Sequence, residues 1–183
     1  MSTDPHNTHS PRPSEAAMPS LAIARLDHIG ITVPDLDQAR AFFEDVLGFE
    51  YLYRLGPLRG EGTWMSEHLN IDDDAIAPRI YFFRVGEQAM LEVFEYQAPN
   101  QRRDVPLNSD IGGHHLAFYV DDIDAAAAEL RRRGVRVLGD PTPSRGPHEG
   151  QRWVYFVTPW GLNCELVSYP NGKAYLRNPE AFD

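Results

Sequence analysis

The feature that most constrains this chain is that it says nearly the same thing twice. The run Asp27-His28-Ile29-Gly30-Ile31-Thr32-Val33-Pro34-Asp35 is matched by His114-His115-Leu116-Ala117-Phe118-Tyr119-Val120-Asp121-Asp122, with His28 on His115 and Asp35 on Asp122. In both, a histidine opens a short strand-like run, an aspartate closes it, and a helical pattern begins at once. Such self-similarity means one supersecondary unit used twice, so any reading of single residues has to serve both copies.

Each copy reads strand, helix, strand, strand, strand. After the first strand Asp35 is placed to cap a helix, with Gln38 three residues on, and Leu36, Ala39, Phe43, Val46 and Leu47 mark one apolar face. Gly48 suits the left-handed position that ends a helix. The second copy uses Asp122 as cap, Ile123, Ala126, Ala127 and Leu130 as face, and Gly134 as terminator. Strands are expected over 49–53, 79–83 and 90–96, and again over 135–138, 152–156 and 163–169. The first module therefore spans 21–97, a polar, proline-containing linker spans 98–112, and the second module spans 113–170. Residues 1–20, rich in Pro and Ser and without periodicity, read as a disordered tail, and 171–183 as a C-terminal tail. The copies differ mainly between Leu55 and Ala77, where Asp72-Asp73-Asp74 reads as a solvated loop because it lacks the Gly and Glu spacing of a calcium loop.

Composition removes several function classes. A formal charge of -10 and a pI near 5.1 argue against a nucleic-acid backbone as partner, whose footprint is a basic patch. One cysteine, Cys164, excludes an intrachain disulfide and a Cys-rich zinc cluster. Lys173 is the only lysine and lies near the C-terminus, which argues against Schiff-base chemistry. No apolar run approaches the roughly 20 residues of a membrane span, and the N-terminus lacks the layout of a signal peptide, so the cytoplasm is the expected compartment.

Strand alternation then sorts the polar residues. His28, Gly30 and Thr32 share one side of their strand and Ile29, Ile31 and Val33 the other; His115, Ala117 and Tyr119 oppose Leu116, Phe118 and Val120. In the last strand of each copy Glu92, Phe94 and Tyr96 share a face, as do Glu165, Val167 and Tyr169. His114 should point away from His115, toward a packing or surface role. Two imidazoles and two carboxylates turned toward one cavity are costly unless they share a partner, and a divalent metal is the economical one. That donor set suits zinc, nickel, cobalt, manganese or iron without choosing among them.

In these runs, and in the paired endings Leu91-Glu92-Val93-Phe94 and Cys164-Glu165-Leu166-Val167, the chain resembles the vicinal oxygen chelate superfamily, which includes glyoxalase I, methylmalonyl-CoA epimerase, extradiol dioxygenases and bleomycin-resistance proteins. The resemblance covers about residues 24–170. It implies an α+β fold of two tandem βαβββ modules forming a U-shaped mixed sheet around a metal site, with helices on the outer face. Carried over by position, the metal ligands are His28, Glu92, His115 and Glu165, on one divalent ion. It also implies a small-molecule substrate, possible anionic character in that substrate, no membrane partner, and room for a homodimer. Thr158-Pro159-Trp160-Gly161 departs from the Asp-Pro-x-Gly turn usual in the family, a change in a turn rather than a ligand.

The activity implied is proton transfer at a carbon next to a carbonyl through a metal-stabilised enediolate, as in an epimerase, isomerase or lyase, with Glu92 and Glu165 as the catalytic acid and base. One alternative is an extradiol-type dioxygenase with iron on His28, His115 and Glu165, against which the presence of Glu92 argues. A further one is a non-catalytic binder of the drug-sequestering branch. Tyr81, Tyr119 and Trp153 are candidates to line the substrate pocket, and Arg79 and Arg152 to contact an anion.

Overall fold

The computed structural model describes residues 22–182 apart from residue 88; the tail expected over 1–20 lies outside them. Both copies form the anticipated unit. In the first, strand β1 (His28–Thr32) leads into helix α1 (Leu36–Ala41), which continues as a π-helical turn over Phe42–Val46, and then into β2 (Glu50–Leu55). A short helix α2 (Trp64–Leu69) lies in the long insertion, and β3 (Ile80–Val85) and β4 (Ala89–Phe94) complete the unit. The second comprises β5 (His115–Tyr119), α3 (Ile123–Arg132), β6 (Arg136–Pro143), β7 (Arg152–Val157) and β8 (Asn163–Ser168), followed by the single-turn helix α4 (Ala174–Arg177).

The caps follow from side-chain chemistry. Asp35 accepts hydrogen bonds from the amides of Asp37 and Gln38, and Asp122 from that of Ala125, so both helix starts satisfy amides that have no intrahelical partner. Gly48 and Gly134 both take positive φ, 72° and 78°, where a Cβ would be strained, and stop their helices. Glu95, just past β4 in the first unit, reaches the same helix start: its carboxylate accepts from the Leu36 amide at 3.0 Å and adds to the α1 cap.

Each module is one four-stranded mixed sheet, in the order β1-β4-β3-β2 and β5-β8-β7-β6, with the first pair parallel and the others antiparallel. The α+β class and the tandem βαβββ arrangement are therefore as expected. In the last strand of each sheet the residues on either side of the glutamate turn into the core. Leu91 and Val93 face α1; Cys164 and Leu166 face α3; all four are nearly inaccessible. These helix-covered faces belong to a single apolar core that runs through both modules. Phe42 and Phe43 in the π-helical turn set their ring edges against Trp160, at centroid distances of 5.6 and 5.5 Å, and Phe49 packs on Phe118 at 5.3 Å. Arg133, at the end of α3, also donates to the carbonyl of Asp45. Among the described residues no strand of one sheet pairs with a strand of the other.

Candidate active site

The face of each sheet opposite that core carries the candidate donors. His28 Nε2 lies 3.3 Å from Glu92 Oε2, and His115 Nε2 lies 3.2 Å from Glu165 Oε2. The geometry is the same because the register is the same: β1 runs parallel to β4, and β5 to β8, so the first strand of each unit lies beside the last. Both imidazoles remain accessible while the carboxylates are largely covered.

The surroundings of the two dyads differ. Around Glu92 the insertion folds back: residue Leu58 bridges to Ala77 and Ile76 to Gln97, and Ala77, Ile80 and Phe82 form a second small core with Leu52, Leu58, Phe94 and Tyr96. Burial pushes the Glu92 carboxyl above the ordinary carboxylate range, an effect that the neighbouring His28 charge opposes. His28 is itself raised, first by the hydrogen bond of its Nδ1 with Asp27 at 2.9 Å and further by Glu92. Glu165 is at least as well covered, its side chain 12% exposed against 18% for Glu92, but by different neighbours. Tyr155, its cross-strand neighbour on β7, brings a hydroxyl to 3.4 Å from His115 Nε2 and packs edge-on against both His115 and Trp153. Tyr155 was not anticipated from the sequence. The signal was there: the equivalent of Tyr155 in the first copy is Phe82, so the phenol is a difference between otherwise matched positions facing a glutamate.

Tyr119 and Trp153 lie on the dyad face, Tyr119 against Tyr169 at 4.8 Å and Trp153 against Tyr155 at 5.6 Å. Arg79, Tyr81 and Arg152 do not. Alternation on β3 puts Phe82 beside Glu92 and sends Tyr81 to the helix side, where its hydroxyl donates to Asp37 at 3.3 Å and accepts from Arg79 at 2.8 Å. Arg79 forms an ion pair with Asp37 and Arg152 with Asp124, at equivalent positions of the repeat, each tying a strand to the first turn of a helix. A cationic pair committed to carboxylates on the far face is not available to a substrate at the dyads. His114, as expected, turns away: its Nδ1 lies 3.1 Å from the Gly112 carbonyl oxygen. A cavity of about 520 Å³ follows the outer edge of β1, between Gly30 and Thr32 on one side and linker residues Gln101–Pro106 and His114 on the other.

The donor types suit a divalent ion, two imidazoles and two carboxylates. Their placement in one chain gives two pairs: among the described residues no group of three His, Cys, Asp or Glu side chains is placed to hold one ion. What each pair can do alone is hold and exchange a proton between a carboxylate and an imidazole on a partly open surface.

A family model described as Glyoxalase/Bleomycin resistance protein/Dioxygenase superfamily matches residues 27–156. The chain is 52% identical over 155 residues to a 2-epi-5-epi-valiolone epimerase from an Actinomyces species, covering 84% of each. It is 31% identical over 147 residues to an ethylmalonyl-CoA/methylmalonyl-CoA epimerase from Cereibacter sphaeroides, covering 79% of this chain and 96% of that one. Among solved structures, a glyoxalase-family protein from Bacillus cereus superposes with a TM-score of 0.63 at 21% identity, over 83% of this chain and 98% of that one, a likeness of fold.

Proposed function

The chain belongs to the glyoxalase/bleomycin resistance protein/dioxygenase superfamily, and on that premise we propose that it is an epimerase moving a proton at a carbon next to a carbonyl, with Glu92 and Glu165 as the proton carriers. The observation that carries the reading is the duplicated His–Glu dyad, present at the same register in both modules. Inversion at carbon needs a base on one side of the substrate and an acid on the other, and two carboxylates in unlike surroundings suit those two tasks. Glu92, roofed and held above the usual range, is suited to keep a proton for delivery. Glu165, beside His115 and Tyr155, is suited to abstraction, with the phenol free to donate to a substrate oxygen.

Similarity to the valiolone epimerase supports a small polar ketone as substrate, and 2-epi-5-epi-valiolone is the first to test. Metal dependence belongs to the same proposal; a divalent ion would supply positive charge beside the enolate oxygen as it develops. Proton NMR in deuterated water reads the chemistry directly. Deuterium is expected at the carbon next to the carbonyl, and Glu92→Gln and Glu165→Gln should each slow its entry by about 10²–10⁴-fold, the usual worth of a positioned acid or base. Exchange at the wild-type rate in both variants would remove the glutamates from the mechanism.

A further inference from the structure

We propose that Asp27 is a positioning residue for the first dyad: its carboxylate accepts a hydrogen bond from His28 Nδ1–H and so leaves Nε2, the nitrogen that faces Glu92, with the lone pair that a divalent ion takes. The inference rests on the reading of His28 as a metal donor and adds to it a residue outside the donor set.

Three observations carry it. First, the contacts divide the ring between two carboxylates. Asp27 Oδ2 lies 2.9 Å from His28 Nδ1, and Glu92 Oε2 lies 3.3 Å from His28 Nε2. Nδ1 is the ring nitrogen nearer the backbone, within reach of the preceding residue, whereas Nε2 is the far one and points into the dyad. Second, Asp27 is free to make this contact. β1 begins at His28, so Asp27 lies just before the ladder, and the alternation that would send its side chain to the opposite face does not bind it. Third, the second copy lacks the arrangement. The residue aligned with Asp27 is His114, whose Nδ1 lies against the Gly112 carbonyl oxygen, and among the described residues the carboxylate paired with His115 is that of Glu165, on Nε2. The contact belongs to the first copy alone.

A neutral imidazole carries one proton, and here two acceptors compete for it. With the proton on Nε2 the ring bonds Glu92 and has no lone pair there for an ion. With the proton on Nδ1 it bonds Asp27, at the shorter of the two distances, and Nε2 is open. Arg25 lies 3.9 Å from the other oxygen of Asp27 and leaves the imidazole contact untouched. Side-chain exposures of 62% for Asp27 and 43% for His28 mean that water competes for the bond, so its worth in stability is small. Its effect on ligation is larger, because a carboxylate on Nδ1–H fixes the ring and makes the coordinating nitrogen more basic. Partners of this kind change metal affinity by about 10–100-fold.

Nitrogen-15 NMR of the chelator-stripped protein with labelled histidine, at about pH 9 and so above the ordinary histidine value of about 6.5, reads which nitrogen holds the proton. His28 is expected as Nδ1–H in the wild type and as Nε2–H in Asp27→Ala, where Glu92 is the carboxylate left beside the ring. His115 should be the same in both. Zinc titration against a competing chelator should give a dissociation constant about 10–100-fold higher for Asp27→Ala, with Asp27→Asn, which keeps an acceptor oxygen without the charge, in between. One His28 tautomer shared by wild type and Asp27→Ala, or equal zinc affinity in the two, would overturn the inference. So would weaker zinc binding with an unchanged tautomer, which reduces Asp27 to a nearby charge. A wild type that takes up neither zinc, nickel nor manganese removes the metal reading and this inference with it; a tautomer that still switches in the metal-free protein marks that failure as belonging to the metal and not to the Asp27 contact.

Discussion

Replacing Phe43 with alanine tests whether the two modules are one cooperative body, on which the outward placement of both dyads depends. Phe43 is fully buried, with ring centroids of Phe42, Phe49, Phe83 and Trp160 at 6.1, 5.5, 5.4 and 5.5 Å. Truncating a buried phenylalanine costs about 3–5 kcal/mol, and the loss of four aromatic neighbours, each pair worth about 0.5–1.5 kcal/mol beyond area, puts this site toward the upper end. For a chain of this length that lowers Tm by about 6–20 °C. Cys164 provides a reporter in the other module: it is inaccessible, and burial pushes its thiol up to about 12, so a disulfide reagent near pH 8 reaches it only when the core opens. If the core is shared, Phe43→Ala raises the Cys164 labelling rate by about a hundred- to several-thousand-fold, since each 1.4 kcal/mol is a factor of ten in the open population. Phe43→Leu, which keeps most of the apolar volume, should fall between. Wild-type labelling of Cys164 in a Phe43→Ala protein whose circular dichroism records the lost stability would refute the shared core.

Three further outcomes follow from the geometry. His115→Ala should abolish tight zinc binding, read by metal analysis after dialysis, while His114→Ala leaves it intact; the reverse result would mean that the strand register is shifted by one. Arg79 holds the Asp37 carboxyl below its usual range, so the pair contributes stability that is fully present above the unfolded aspartate value of about 3.9 and is lost as pH falls through the lower folded value. Acid titration followed by circular dichroism should therefore show wild type losing more stability than Arg79→Ala below about pH 4. At Gly113 an added Cβ would lie 2.1 Å from the Leu107 carbonyl oxygen, so Gly113→Ala should cost about 1–3 kcal/mol in a chemical melt and weaken zinc binding by displacing the adjacent His114-His115.

The local fold was legible because it is written in short-range chemistry: the caps Asp35 and Asp122, the stops Gly48 and Gly134, and the alternation that turns Glu92 and Glu165 to the same side as the histidines. What was not legible depends on contacts between residues far apart in sequence. Nothing near Arg79 or Arg152 shows that Asp37 and Asp124 neutralise them, and they read as free cations. Tyr81 was drawn to the site by its type, although the parity of β3 counted back from Glu92's partner Phe82 already sends it to the other face. The packing of Phe42 and Phe43 on Trp160 has no period and no motif, yet it decides how the sheets are disposed. Helix α2 lies in an insertion that the second copy lacks, so the repeat offered no template for it.

The π-helical turn over Phe42–Val46 is where the two copies of the repeat part company. From cap to stop the first helix covers fourteen positions, Asp35 to Gly48, and the second thirteen, Asp122 to Gly134. A π turn lets a helix carry one more residue between fixed ends, so β1 and β2 flank α1 as β5 and β6 flank α3. The surplus was not neutral. It turns the consecutive side chains Phe42 and Phe43 both inward, onto Trp160 of the other copy. The one-residue difference between the two helices thus makes the two halves of the repeat unlike at the place where they meet.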